Sequence, residues 1–403
     1  MSNLVVDTEE HKAIRESVAG IVSRYGQEYF LERGRSGQGI EELWKDLGAT
    51  GLLGVHLPEE YGGGGGGMAE AVVVVEELAA HGMPMLIWVI SPAICGSILA
   101  HHGSEAMKRE WLPSIADGSR KMAFGLTEPD AGSNSHRVST TARRTDTGWK
   151  ISGSKYYISA IDQADAVLLV TKDAEHSTPE KSALSLFVVP TNSPGLSIQE
   201  IETSIVSPDK QFTVFLDEVE VGEEALIGGA GQGLKQVFSG LNPERILVGA
   251  ICSGVGRFAV DKAAEYAKQR QVWSTPIGAH QGVAHPLAEA HIAVELGRMA
   301  TMRSAELFDA GESAAEAANI AKFAASEASL QALDQAIQTH GGNGLSHEYG
   351  LSELWFVTRL MVFSRRGEWA SVWYWPPDPD DEMTPLMPGS AAAIIGSVCA
   401  PWL

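Results

Sequence analysis

The chain has 403 residues, 44% of them hydrophobic, and is therefore long enough to bury the cores of two or three domains. Its formal net charge is -21, from 30 Lys and Arg against 51 Asp and Glu. Nucleic acids and anionic membrane surfaces are bound by clustered basic side chains, so this charge argues against both classes of partner. We expect an ordinary soluble globular protein.

Cysteine usage and apolar runs bear on the compartment. Cys95, Cys252 and Cys399 are far apart and form no CxxC pair, which predicts neither a disulfide framework nor a metal site. The first residues are acidic and amphipathic, unlike a secretory signal. No apolar run reaches the roughly 20 residues that span a bilayer. We therefore predict a cytoplasmic protein without a membrane span.

Residues 1–120 have a helical pattern and predict an N-terminal helical domain. Thr8, followed by two glutamates, predicts the start of the first helix. The valines at 72–75 suit a strand by propensity, but the following EELAA favours a buried helix. The run PEEYGGGGGGM formally contains GxGxxG. Because no strand precedes it, we predict a mobile surface loop and not a phosphate-binding turn.

The next two regions differ sharply in pattern. Residues 121–230 contain short strand-like runs separated by Gly and Pro turns, which predicts a small sandwich or barrel. The predicted strands are MAFGLTE, HRVSTTARRT, GWKISGSKYYISA, ADAVLLVT, ALSLFVVP and QFTVFLDEVEV. Residues 231–362 contain long, Ala-rich helical runs that predict a bundle. Residues 363–403 form an atypical tail rich in Trp and Pro.

Three motifs, LTEPDAGSN, GSKYYIS and QTHGGNG, occur in that order and resemble those of the acyl-CoA dehydrogenase family. The run at 276–288, PIGAHQGVAHPLA, is similar to bacterial members. The resemblance implies an α+β multidomain fold with an N-terminal α-helical domain, a middle β-barrel and a C-terminal four-helix bundle. It also implies bound FAD, an acyl-CoA substrate, a homotetramer or homodimer, and an electron-transfer flavoprotein as acceptor.

One set of residues is expected to line the flavin. Apolar walls and a few donors suit an isoalloxazine ring. Walls, hydroxyl groups and backbone N–H groups are available at Phe124, Leu126, Thr127, Gly132 and Ser133, and the resemblance adds the pair Tyr157 and Ser159. The resemblance also places Ser133 on the FAD phosphate or on the pantetheine arm of the substrate. The alternative is an ordinary strand and turn, with Tyr157 facing a core.

By the same resemblance, a second set reaches the FAD of a neighbouring subunit: Arg270, Trp273, Gln281, Gln338, Gly341 and Gly342. A guanidinium can hold a pyrophosphate with two hydrogen bonds, and an aromatic ring can cover adenine or ribose. The alternatives are an arginine favoured by the helix dipole and two glycines that end a helix.

The position of the catalytic base departs from most family members. Most members carry a glutamate at the position of Arg365, which as a cation cannot serve as the base. Isovaleryl and long-chain members instead carry a glutamate near the start of the first bundle helix, which is Glu244 here. The following Arg245 is assigned to the substrate. Pro243 suggests that Glu244 could equally be a helix-start residue favoured by the dipole.

Three residues near Arg365 bear on the same question. Glu368 is a weaker candidate for the base, and Gly367 and Trp369 replace family contacts to FAD. Residues 363–403 are either a genuine variation or a reading-frame artefact.

The resemblance implies removal of the α-proton of an acyl thioester by Glu244 and transfer of the β-hydrogen as hydride to flavin N5. Two alternatives remain open: a non-catalytic partner subunit of a hetero-oligomeric dehydrogenase, and a related flavin oxidase or monooxygenase. Acyl chain length, and CoA against a carrier-protein thioester, are also open.

Overall fold

The computed structural model describes residues 4–132, 137–178 and 182–363. Helices come first, a sheet follows, and helices return. We keep the division at residues 120, 230 and 362 as a proposal; the first two of these positions fall between elements of regular structure.

The N-terminal part is helical, as predicted. Its helices are α1 (Glu9–Val22), α2 (Gly26–Ser36), α3 (Glu41–Ala49), α4 (Met68–Ala80), α5 (Leu86–Trp88), α6 (Ser97–His102) and α7 (Glu105–Ala116). A π-helical stretch, Val89–Gly96, joins α5 to α6. Thr8 caps α1, because its side chain accepts a hydrogen bond from the His11 N–H. The valine run is buried within α4, so burial outweighs the β-propensity of valine there.

The glycine run at residues 62–67 forms a loop before α4, and no strand precedes it. Its backbone is held in place: the N–H groups of Gly64 and Gly66 donate to Gly54 O and Val55 O at 2.8 and 2.9 Å. A Cβ on Gly63 would collide with the Leu57 carbonyl group. Close backbone approach therefore accounts for these glycines, and no phosphate-binding turn is formed.

The middle part is one eight-stranded sheet. Its strands are β1 (Met122–Gly125), β2 (Thr141–Thr145), β3 (Gly148–Ser159), β4 (Ala166–Asp173), β5 (Leu184–Pro190), β6 (Leu196–Ile201), β7 (Gln211–Gly222) and β8 (Leu226–Ile227). The order is β6-β7-β3-β2-β4-β5-β8, and β1 pairs in parallel with β4. Over the described residues β6 and β8 stand at opposite edges, so the predicted closed barrel is wrong: the sheet is open.

Two of these strands were missed from the sequence. β6 lies at an edge, and none of its residues is fully buried, so it lacks the alternating apolar pattern that marks a strand. β8 has only two residues and is too short to give a pattern.

Four helices form the C-terminal bundle: α8 (Gly233–Gln269), α9 (Gln281–Asp309), α10 (Ala315–His340) and α11 (Leu351–Phe363). Small residues allow close packing, since a Cβ on Gly297 would lie 2.8 Å from Ala325 Cα. A short hairpin of β9 (Gln271–Val272) and β10 (Thr275–Pro276) separates α8 from α9. Among the described residues no helix is both long and apolar enough to cross a membrane.

A buried charge cluster joins the N-terminal helices to the bundle. Glu76 Oε1 on α4 lies 3.2 Å from Arg15 Nη1, 2.6 Å from Arg257 Nη1 and 2.9 Å from Arg298 Nη2. Burial opposes ionisation of Glu76, but the three guanidinium groups outweigh it and lower its pKa to about 2. These contacts fix the middle of α8 against α4.

Candidate active site

The predicted flavin strand, β1, continues into a tight turn. Leu126 is buried in an apolar cluster that also contains Ile94 and Leu241, and Phe124 packs against this cluster. The turn is closed by two hydrogen bonds of 3.1 Å between the backbones of Glu128 and Ala131. The two predicted wall residues, Phe124 and Leu126, are therefore held in place by apolar packing and by the turn that follows them.

Thr127 lies between the wall and the turn and is half-buried. Its carbonyl oxygen accepts a hydrogen bond of 2.8 Å from the Tyr156 N–H, which joins the LTE and KYY motifs. Among the described residues neither the Thr127 N–H nor its hydroxyl group has a hydrogen-bond partner. Both groups are thus available to a ligand. Gly132 is exposed, and Ser133 lies outside the described residues.

Tyr157 sits on an irregularity of β3, between Lys155 and Ile158, where the pairing with β7 shifts register. Its φ is 54°, a left-handed conformation that few side chains adopt, and it is 50% exposed. The alternative interpretation of Tyr157 as a core residue is therefore wrong. A bulge that turns an aromatic ring outward next to Thr127 suits stacking on a flat ligand.

Ser159 is engaged within the protein. Its hydroxyl group donates to Gln211 Oε1 at 2.9 Å, and Gln211 Nε2 donates to the Asp209 carbonyl group. The Asp209 carboxylate accepts a hydrogen bond of 3.1 Å from the Ile87 N–H at the start of α5. Ser159 is thus connected to the start of α5. The Ser159 hydroxyl oxygen still has a lone pair for a ligand.

Together these groups fit a flavin. Thr127 offers unused donors and Tyr157 offers an exposed aromatic face, and a backbone hydrogen bond from the Tyr156 N–H to the Thr127 carbonyl group joins their two segments. An isoalloxazine ring needs this combination of an apolar surface and a few directed donors.

Two charged residues in these motifs, Lys155 and Glu128, were not predicted to have a role. Both are buried and lie 2.8 Å apart. The sequence did contain a signal, because each residue lies within or next to a largely apolar strand. A buried charge without a partner is energetically costly, so a lysine and a glutamate in such places indicate an ion pair.

Glu244 does not lie at a helix start, so that alternative interpretation is wrong. α8 begins at Gly233, close against Leu184 and Leu186 of β5, and Pro243 lies inside the helix. The helix dipole acts mainly in the first turn and cannot account for Glu244. Proline at 243 lacks an N–H, so the Ser239 carbonyl group loses its usual helical donor.

Glu244 follows Leu241 by three residues, which places the two on one face of α8. Leu241 belongs to the apolar cluster that contains Leu126 of the predicted flavin segment. The Glu244 side-chain oxygen Oε2 is buried. The next residue, Arg245, is buried as well, and its Nη1 donates to Asn242 Oδ1 at 3.1 Å.

The π-helical stretch lies between β1 and α8. Ser91 Oγ accepts a hydrogen bond of 3.0 Å from the Met122 N–H, and Cys95 Sγ donates to the Ala123 carbonyl group. On its other side, a Cβ on Gly240 would lie 2.8 Å from Ile94 O. π-helical segments often occur at functional sites. The π-helical stretch is therefore in contact with both β1 and α8.

The second predicted set lies at the opposite end of α8. Arg270, Trp273, Gln281, Gln338, Gly341 and Gly342 are all exposed, and Trp273 is 89% exposed. The ends of α8 and α10 are brought together where the Tyr266 and His340 rings stack at 4.2 Å. Gly341 also ends α10 with φ 61°, as the helix-cap interpretation expects.

Glu244 and the second set lie toward opposite ends of α8. At about 1.5 Å per residue, the helix from residue 244 to residue 270 is about 39 Å long. The predicted base and the predicted pyrophosphate-binding arginine are therefore held well apart along one helix.

Several predictions concern residues that the structure does not describe. Arg365, Gly367, Glu368 and Trp369 lie outside the described residues, as does Cys399. Cys95 and Cys252 are buried thiols, and the described part of the chain contains no cluster of His, Cys, Asp and Glu that could hold a metal ion.

Comparison with known proteins identifies the class of this chain. Three family descriptions match it: acyl-CoA dehydrogenase N-terminal domain at 8–119, middle domain at 123–219 and C-terminal domain at 231–365. The chain belongs to the acyl-CoA dehydrogenase family. The predicted family and the helical, β, helical architecture are therefore confirmed. So is the class of FAD-dependent oxidoreductase, at the level of the family.

Particular relatives agree. Acyl-CoA dehydrogenase FadE12 of Mycobacterium tuberculosis (strain ATCC 25618 / H37Rv) is 53% identical over 357 residues, or 88% of this chain and 92% of that protein. A glutaryl-coenzyme A dehydrogenase in complex with glutaryl-CoA has a TM-score of 0.86 and 26% identity, covering 92% of this chain and 97% of that chain. Glutaryl-CoA dehydrogenase from Mycobacterium smegmatis in complex with FADH2 shares the fold, with a TM-score of 0.82 and 24% identity, over 89% and 91% of the two chains.

Proposed function

We propose that this protein is an FAD-dependent dehydrogenase of acyl-CoA thioesters, with Glu244 as the base, and that two copies of the chain complete each cofactor site. The observation that carries the proposal is the arrangement at the near end of α8. There, the apolar cluster contains Leu126, next to the unused donors of Thr127, and Leu241, one helical turn before Glu244.

The chain supplies the proton chemistry. The Glu244 carboxylate takes the proton from Cα of the thioester, while the apolar cluster around Leu126 and Leu241 keeps water from the reacting carbon atoms. Thr127 and Tyr157 would hold FAD, and FAD would supply the acceptor for the hydrogen that leaves Cβ with its electron pair. The proton would stay on Glu244, and the thioester would leave as its α,β-unsaturated product.

The far end of α8 serves a neighbouring copy. Arg270 and Trp273 are exposed, and Arg270 lies at the opposite end of α8 from Glu244. The surface of α9 supports association, since Ile292, Leu296 and Met299 are 58%, 57% and 43% exposed and lie on one face. A continuous apolar stripe of this kind marks a protein interface. A homodimer or homotetramer would cover it.

Subunit complementation tests the shared site. Glu244→Gln and Arg270→Ala subunits, each inactive or weakly active alone, are unfolded together and reassembled. In a mixed pair, one site takes its base from the Arg270→Ala subunit and its arginine from the other. Random pairing should therefore restore about a quarter of wild-type activity.

The matched control is reassembly of each variant with itself, which should restore nothing. Absence of recovery in the mixture, with normal assembly by light scattering, would place both residues on the cofactor of one copy. It would overturn the shared site. A purified wild-type protein that carries no flavin, or whose flavin absorbance is not bleached by any acyl-CoA, would overturn the dehydrogenase itself.

The electron acceptor is proposed from the family resemblance to be an electron-transfer flavoprotein. After anaerobic reduction by substrate, the enzyme should reduce an added electron-transfer flavoprotein and react slowly with oxygen. Rapid formation of hydrogen peroxide without that protein would instead identify an oxidase.

A further inference from the structure

A buried ion pair lies directly behind the segment that carries Thr127. Lys155 of β3 is fully buried, Glu128 is 3% exposed, and Lys155 Nζ lies 2.8 Å from Glu128 Oε1. Neither side chain is placed to touch a ligand. The role of each side chain therefore depends on the protein groups to which it is hydrogen-bonded.

Lys155 uses all three of its N–H donors. Besides Glu128, its Nζ donates to Leu126 O at 3.1 Å and to Val170 O at 2.6 Å. An ammonium group has no further donor to offer. One side chain thus joins β3, β4 and the segment that follows β1.

Both oxygen atoms of the Glu128 carboxylate are also hydrogen-bonded within the protein. The carboxylate accepts hydrogen bonds from the Ser139 N–H and hydroxyl at 2.7 and 2.6 Å and from the Thr140 N–H at 3.0 Å. Burial opposes its ionisation, but Lys155 and these hydrogen bonds outweigh burial and lower the pKa of Glu128 to about 2. Burial lowers the pKa of Lys155 to about 8, against the opposing effect of Glu128. Both groups are therefore charged at neutral pH.

The hydrogen bond from Lys155 fixes the orientation of the peptide group between Leu126 and Thr127. In a trans peptide the C=O and the N–H point in opposite directions. Because Lys155 holds the Leu126 carbonyl group on the inner side, the Thr127 N–H is directed outward. The Thr127 carbonyl group is fixed separately by Tyr156. The ion pair therefore sets the direction of the unused Thr127 N–H.

We propose that Lys155 and Glu128 act as a pair of positioning residues that aim the Thr127 N–H at the polar edge of the flavin. This inference rests on the proposed function, since it needs a flavin at Thr127. A pair that only stabilised the sheet would affect unfolding and leave the properties of the bound flavin unchanged.

The test is the double variant Lys155→Met with Glu128→Gln, which removes both charges and leaves neither one buried alone. Apoprotein is titrated with FAD to obtain the dissociation constant, and the midpoint potential of the bound flavin is measured. We expect FAD binding to weaken about tenfold, as for one misdirected hydrogen bond. The potential should become more negative, because fewer donors stabilise the reduced ring.

A matched control is Lys150→Met with Glu218→Gln, an exposed pair between β3 and β7 at 3.4 Å. This control variant should leave both the FAD dissociation constant and the midpoint potential of the flavin unchanged. The single variant Glu128→Gln provides a second reading if the double variant does not fold, with the same direction of change expected. Wild-type affinity and potential in whichever of these variants folds would overturn the positioning role. A wild-type protein that binds no FAD would overturn the proposed function and this inference with it.

Discussion

The two ends of α8 differ in almost every physical respect. At the near end Leu241 and Arg245 are buried and Glu244 is half-buried, and Leu241 belongs to an apolar cluster shared with the sheet. At the far end Arg270 is exposed beside a short hairpin. The near end suits the proposed chemistry, which must exclude water, and the exposed far end suits the proposed contact with a second copy.

In the proposed function one helix contributes to two cofactor sites. A rigid helix fixes the separation of the groups at its ends, so Glu244 and Arg270 cannot approach each other within one copy. Between them, Arg257 ties the middle of α8 to Glu76. Changes at the near end should therefore affect turnover, changes in the middle should affect folding, and changes at the far end should affect cofactor retention.

The largest effect is expected from Glu244→Gln. Loss of a general base should lower turnover about 100- to 10,000-fold in single-turnover bleaching of the flavin by acyl-CoA. Flavin content should not change, because the glutamine keeps the size of the side chain.

Glu265→Gln provides the matched control on the same helix, since this carboxylate lies toward the far end and its side chain is 61% exposed. Its turnover should equal that of the wild type. Equal bleaching rates in the Glu244 and Glu265 variants would remove the near end from the chemistry.

Glu76→Gln should destabilise the whole molecule and neither end selectively. Arg15, Arg257 and Arg298 would lose the carboxylate that they share, and breaking a buried charge cluster costs about 3–5 kcal/mol in free energy of unfolding. Chemical denaturation measures this quantity. Glu9→Gln is the control: its side chain is 92% exposed, so a change below about 1 kcal/mol is expected.

The same carboxylate predicts a dependence on pH. Because the pKa of Glu76 is about 2 in the folded protein against an ordinary value of 4.5, the unfolded chain binds more protons in that interval. Its contribution to stability, about 3 kcal/mol, is complete above pH 4.5 and is lost as the pH falls towards 2. The stability difference between wild type and Glu76→Gln should shrink over this window. A constant difference would contradict the assignment.

A smaller effect is expected from Arg270→Ala. Loss of charge-assisted hydrogen bonds to a pyrophosphate, each worth about 1.5–3 kcal/mol, should weaken FAD binding at least tenfold in a titration of the apoprotein. Stability should not change, because the side chain is exposed. Lys268→Ala removes another exposed cation nearby and should retain wild-type affinity. Equal losses in both variants would indicate a general effect of charge.

Local patterns predicted much of the fold. The cap at Thr8, the valine helix α4 and most strands follow from side-chain periodicity and capping chemistry, which act between near neighbours. The edge strand β6 was not predicted, because none of its residues is fully buried. Closure of the sheet was predicted wrongly, because pairing of β6 with β8 depends on the path of the whole domain.

The family could be recognised from the sequence alone, because the Thr127 and Tyr157 motifs each lie within one short run of residues. Other features emerge only from the tertiary structure. It places Glu244 well inside α8, pairs Lys155 with a glutamate 27 positions away, and separates Glu244 from Arg270 by most of the length of a helix. These outcomes depend on contacts between distant residues and on the rigid length of a helix, and no local pattern encodes either one.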